Sequence, residues 1–209
     1  MPNDWPVLDT EAPVLWLSKI THNPFCLNHQ DSQHLESTAH ITNGCHAYKQ
    51  LYIARHDRIV DIVSDAVHNI MPASSAMYKH RRVSPEWFGS TCDVFALIPN
   101  TPDIVFVDTS HKEVLMLEVG CVFDLYMDQA FQDKYVKYQP LLETITSLGY
   151  NCRYSVVIVG SLGHVHKFTT RGQIAGLSRS RAKQVAKYCS ISAIIGSLAV
   201  WRRRCYVYP

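Results

Sequence analysis

Two apolar tetrapeptides, Ile104-Val105-Phe106-Val107 and Val114-Leu115-Met116-Leu117, constrain the fold of this 209-residue chain more than any other feature. Short apolar runs bounded by turn-forming residues read as buried strands, and the polar stretch from Asp108 to Lys112 reads as the turn between them. Asp103, reached through Thr101-Pro102, directly precedes the first run, and Glu118 directly follows the second. A hairpin therefore brings both carboxylates to nearby strand ends. Two converging carboxylates suit a hard cation. Mg²⁺ takes near-octahedral oxygen coordination from one or two carboxylates plus substrate phosphates, and it both activates water and stabilises the leaving oxygen of a phosphodiester. The pattern predicts a metal-dependent nuclease.

Each acid also has a plainer reading. A Pro-Asp pair before a strand is often a turn in which the aspartate binds nearby backbone. Glu118, inside an apolar run, needs a partner because an unpaired buried carboxylate is costly, and a structural ion pair with a lysine satisfies that need without catalysis.

A nuclease site of this kind also needs a cation near the attacking water. Position 120, two after Glu118, is glycine. The segment Tyr126 to Tyr138 has helical spacing and carries Lys134 and Lys137 three residues apart, on one face. If that helix packs on the hairpin, Lys134 reaches the carboxylates from a neighbouring element.

The ordered set Pro102-Asp103, Val114 to Val119 with Glu118, Lys134-x-x-Lys137-Tyr138-x-Pro140-Leu141 and Val157-Ile158-Val159-Gly160-x-x-Gly163, with a Cys/His cluster and Arg55-His56-Asp57 upstream, spans residue 20 to the C-terminus. In this order the chain resembles the restriction-enzyme-like endonuclease domain at the C-terminus of site-specific non-LTR retrotransposon polyproteins. The resemblance implies a PD-(D/E)xK core that nicks target DNA to start reverse transcription. It implies Asp103 and Glu118 as ligands of Mg²⁺ or Mn²⁺, Lys134 as a displaced catalytic lysine and Lys137 as a second candidate. Thr101 stands where the family usually has a basic residue, and Gly120 where a threonine often stands.

Cys26-x2-His29 and His40-x4-Cys45, ten residues apart, form two close pairs of N/S ligands, the set that tetrahedral Zn²⁺ takes. With four protein ligands and no open position, such a zinc is structural. His34 and His46 compete as ligands, and a solvated polar loop is the alternative reading. The family has Cys-x2-Cys where this chain has Cys26-x2-His29.

Tyr48, Leu51, Tyr52, Ile59, Ile62, Val63, Ala66, Val67 and Ile70 recur at helical spacing, ending at Met71-Pro72. Arg55 and His56 lie on or beside the polar side of that helix, and the resemblance implies them as phosphate contacts near the nuclease core; Arg81 and Arg82, in the basic cluster Lys79 to Arg82, are candidates by charge. Surface charge alone also explains them. Tyr154 to Val159 reads as a short buried strand, Gly160 to Gly163 as a turn, and Ser178 onwards as a final helix. Arg179 and Arg181 oppose the dipole at its start, which suits an external anion.

The expected fold is therefore α/β, a mixed sheet flanked by helices: an N-terminal extension (1–19), a zinc-knuckle-like segment (20–45) and a restriction-endonuclease-like domain (46–209). Net charge is only +2, so phosphate binding would depend on local basic faces. Seven cysteines without a disulfide-rich layout suggest reduced thiols in a cytosolic or nuclear setting. Cys121, Cys152 and Cys189 lie in apolar tracts and read as core residues. No signal-peptide pattern or membrane-length span is present. The expected partners are double-stranded DNA, element RNA and an upstream reverse transcriptase domain of the same polyprotein, in the nucleus, with this chain a fragment or decayed copy. The alternative is a nucleic-acid-binding module that kept the fold and lost the chemistry.

Overall fold

A computed structural model describes Cys26 and residues 37–90, 95–170, 174 and 176–207. In chain order its main elements are α1 (Lys49–His68), β1 (Ala76–Lys79), β2 (Ile104–Asp108), β3 (Glu113–Val122), α2 (Met127–Lys137), α3 (Gln139–Ser147), β4 (Asn151–Gly160), α4 (Lys167–Thr170) and α5 (Arg179–Val207). Short helical turns at His40–Gly44 and His46–Tyr48 lead into α1. Among the described residues, no helix is long and apolar enough to cross a membrane.

The four strands form one mixed sheet in the order β1-β2-β3-β4. β1 and β3 pair antiparallel with β2, and β4 pairs parallel with β3. The hairpin turn is fastened by Asp108, whose Oδ1 accepts the backbone N–H of Ser110 at 3.0 Å and of His111 at 3.1 Å. Aspartate favours turns for this reason.

Alternate residues along β2 and β3 feed two cores, as the period-two pleat requires. Ile104, Phe106, Leu115, Leu117 and Val119 pack with Ile59, Val63 and Val67 of α1 and Val185 and Cys189 of α5. Val105, Val107, Val114 and Met116 pack against Tyr138, and against Leu141 and Ile145 of α3. Met127 joins Val156 and Ile158 in a smaller cluster under α2. With helices on both faces, the central strands are apolar on both sides, which is why their sequences run without polar alternation. α5 lies antiparallel to α1: a Cβ on Gly196 would stand 2.5 Å from Arg55, and one on Gly176 would stand 3.0 Å from Ile70.

Three features differ from the sequence reading. β3 and β4 each run ten residues, well beyond their apolar cores. Glu118 therefore sits inside β3 and not at its end. β1 was not expected as a strand, because its partly exposed tetrapeptide Ala76-Met77-Tyr78-Lys79 is too short to show a period of its own and is held by β2.

Candidate active site and metal centre

The antiparallel register sets Ile104 opposite Leu117, so one step further along the hairpin Asp103 lies beside Glu118. Backbone bonds lock the two acids together. Asp103 Oδ2 accepts the Val119 N–H at 2.7 Å, and the Asp103 N–H donates to Glu118 Oε2 at 3.2 Å. Burial, and then the charge of Asp103, push the Glu118 carboxyl above its ordinary range against the pull of Lys134. Burial acts the same way on Asp103, but His56, the Val119 N–H and Lys134 outweigh it and hold that carboxyl below its ordinary range. The two acids thus differ in proton affinity within one site.

Lys134 enters from α2 and donates to Glu118 Oε1 at 2.6 Å. Its route depends on Gly120. A Cβ there would lie 3.0 Å from Lys134 Cε and 2.6 Å from Ile158 Cδ1, so the lysine's aliphatic chain fills the space a side chain at 120 would take. Tyr154, on β4, donates its hydroxyl to the Lys134 carbonyl at 2.7 Å and fixes that turn of α2. Lys137 stands behind Lys134. It donates to the Tyr138 hydroxyl at 2.9 Å, and that hydroxyl donates to the Thr101 carbonyl at 2.8 Å, two residues before Asp103.

Two histidines flank Asp103. His56 Nε2 lies 3.5 Å from Asp103 Oδ2 and 3.3 Å from the Val119 carbonyl, while its Nδ1 lies 3.2 Å from Asp57 Oδ1. Burial disfavours the imidazolium, but Asp103, Asp57 and the Val119 carbonyl together raise its pKa to about 9. Close by, with its ring centroid 5.9 Å from that of His56, His80 has Nδ1 3.5 Å from Asp103 Oδ1 and Nε2 3.8 Å from Asp57 Oδ1. The His80 N–H donates to the Asp103 carbonyl at 2.9 Å, and its backbone takes φ +49°, a region L residues seldom adopt.

A second group lies ahead of the core. Cys26, His40 and Cys45 bring their ligand atoms within 4.8 Å of one another, and this group can hold a metal ion. The two sulfurs are 3.7 Å apart, far beyond a disulfide bond of ~2.05 Å. Both cysteines are buried with Ile41, Tyr48 and Val200, so the cluster packs on the start of α1 and the C-terminal half of α5. Asn43 ties it to the sheet by donating to the Cys121 carbonyl at 3.1 Å. His29 lies outside the described residues.

No family model and no curated protein matches this chain.

The expected residues therefore sort by place. Asp103, Glu118 and Lys134 meet, with Lys137 next to them. His56 joins the same cluster, where the sequence offered it as a phosphate contact. Arg55 turns inward: it is 3% exposed, donates to Ser197 Oγ at 2.7 Å and lies under Tyr52. That burial removes it from any phosphate-contacting surface. Arg81 and Arg82 are exposed and directly follow His80 in sequence. Arg179 and Arg181 are exposed at the far end of α5 beside the end of α1, roughly 20 Å along the helix from His56 at 1.5 Å per residue. His80 and Asp57 belong to the site, but the sequence reading assigned them no role there. The signal for His80 is the register Lys79 opposite Ile104, which exists only once β1 is known.

Proposed function

We propose that the chain is a metal-dependent DNA endonuclease with a PD-(D/E)xK core, nicking double-stranded DNA by phosphodiester hydrolysis as in target-primed retrotransposition. The observation that carries this reading is the convergence of Asp103, Glu118 and Lys134 from three separate elements, with Gly120 leaving the lysine its path. The donor set fits Mg²⁺ or Mn²⁺: two adjacent carboxylates, one of them held ionised, beside a cationic lysine. When bound, such a cation supplies an activated water and stabilises the leaving oxygen. Asp103 and Glu118 would hold it.

Lys134 keeps its ammonium group at the carboxylates, where it stabilises charge developing on the phosphate. Because the amine already donates to Glu118, electrostatic stabilisation is the role its placement favours. His56, held protonated by three acceptors, anchors Asp103 Oδ2 to α1 and to the backbone of β3. Arg81 and Arg82, exposed beside the site, suit contact with the DNA backbone.

The same proposal assigns zinc to Cys26, His40 and Cys45, with His29 as fourth ligand. Two Zn–S bonds of ~2.3 Å at a tetrahedral angle set the sulfurs ~3.8 Å apart, close to the 3.7 Å separation here. Its role is structural. Element RNA, an upstream reverse transcriptase domain and a nuclear location follow from the retrotransposon reading and stand or fall with it.

The test is nicking of supercoiled plasmid with Mg²⁺ or Mn²⁺ by the chain and by Asp103→Ala and Lys134→Ala. Metal-dependent nicking lost with Asp103→Ala, and reduced about a hundredfold or more with Lys134→Ala, is the expected result. Plasmid that is bound but equally uncut by all three proteins leaves the inactive binding module.

A further inference from the structure

We propose that His80 is a nitrogen ligand of the divalent cation at Asp103, with Asp57 as the carboxylate that orients it, and that this imidazole shifts the site from Mg²⁺ towards first-row transition ions. The inference rests on the proposed function for the presence of a cation at the carboxylates. It goes beyond that reading in adding a ligand that the acid, acid and lysine pattern does not contain.

The two oxygens of Asp103 have separate duties. Oδ2 is taken by the Val119 N–H at 2.7 Å and faces His56, whereas Oδ1 faces His80 Nδ1 at 3.5 Å. Two ligands at right angles on an octahedral cation with bonds of ~2.1 Å stand ~3.0 Å apart, so a few tenths of an ångström of closure brings this pair to coordination distance. The second nitrogen of the ring supports the assignment. A metal-bound histidine usually directs its other N–H to a carboxylate, and His80 Nε2 faces Asp57 Oδ1 at 3.8 Å.

His56 does not compete for this role. Its two nitrogens face Asp57 Oδ1 and the Val119 carbonyl, both acceptors, so both carry protons and neither offers a lone pair. His80 is also held in place at a cost. A residue at φ +49° persists where the surroundings impose it, and here the backbone bond to the Asp103 carbonyl does so. The ring is 43% exposed, open to an incoming ion and to the substrate it would carry. Imidazole suits transition ions more than Mg²⁺, which prefers oxygen ligands and retains water.

Chain carrying a single equivalent of zinc, stripped of excess by dialysis, is titrated with Mn²⁺, following free Mn²⁺ by electron paramagnetic resonance and bound nitrogen by spin-echo modulation, with Mg²⁺ as competitor. The variants are His80→Gly, which accepts the positive φ without strain, and Asp57→Asn. Wild type is expected to show modulation from a directly bound nitrogen, lost in His80→Gly together with Mn²⁺ affinity by about tenfold or more, and Asp57→Asn to weaken Mn²⁺ about tenfold. Mg²⁺ affinity should fall less in both. Absence of nitrogen modulation in wild type, its survival in His80→Gly, or no Mn²⁺ binding overturns the assignment. Plasmid nicking is scored separately: nicking without bound nitrogen overturns the ligand alone, and bound nitrogen without nicking overturns the nuclease alone.

Discussion

Lys134 reaches Glu118 because nothing larger than hydrogen stands at position 120. Gly120→Val would place a branched side chain in contact with both Ile158 and the lysine stem. Expected are a stability loss of about 1–3 kcal/mol and a fall in nicking at unchanged DNA affinity, read by urea unfolding and a plasmid assay. Lys134→Met leaves Glu118 buried without its cation, and should cost about 1–3 kcal/mol. Adding Glu118→Gln should recover much of that loss, because no charge then lacks a partner. His56 supplies a pH test in metal-free protein. Its folded pKa is raised from 6.5 to about 9, so its contribution to stability is fully present below pH 6.5 and is lost as pH rises through about 9. His56→Gln should therefore flatten the decline in unfolding free energy across that window; an unchanged slope would sink this account of the imidazolium.

The pairing of α1 with α5 depends on a buried side chain where a surface arginine was expected. Arg55 donates to Ser197, whose hydroxyl donates in turn to the Ser161 carbonyl at 2.6 Å, so one chain of bonds joins α1, α5 and the turn after β4. Gly196 gives the arginine stem its room. Arg55→Ala should destabilise the chain by about 2–4 kcal/mol through lost packing and unpaired partners, with the salt dependence of DNA binding unchanged. Arg81→Ala, by contrast, should leave stability intact and reduce the logarithmic salt slope by about 1 if it holds one phosphate. Nothing in residues 48 to 70 distinguishes Arg55 from Arg58, since burial of one polar position on an amphipathic helix is decided by the second helix that covers it. The hairpin, α1, α2, α3 and the start of α5 were legible because their apolar period and punctuation are local. β1 and the approach of His80 to Asp103 were not, because they arise from pairing between segments distant in sequence.

Across the molecule, the metal-ligand cluster at Cys26, His40 and Cys45 and the carboxylate site are mechanically joined. Asn43 holds the carbonyl of Cys121, three residues beyond Glu118 on the same strand, and Ser161 Oγ donates to Thr42 Oγ1 at 3.3 Å from the turn after β4. The cluster also packs on Val200 of α5. If the cluster holds zinc as proposed, removing it should lower Tm by several degrees and loosen the C-terminal half of α5, seen as faster amide exchange near Val200. Cys45→Ser should reproduce both effects without a chelator. For anyone working with the purified chain, that join makes chelation an ambiguous manipulation. If both sites fill as proposed, an ion at Asp103 would exchange through the open side next to His80, whereas one enclosed by buried thiolates would leave only as the segment around it opens. A chelator added to active protein should therefore silence it in two phases, and only the early phase should reverse fully when Mg²⁺ is returned.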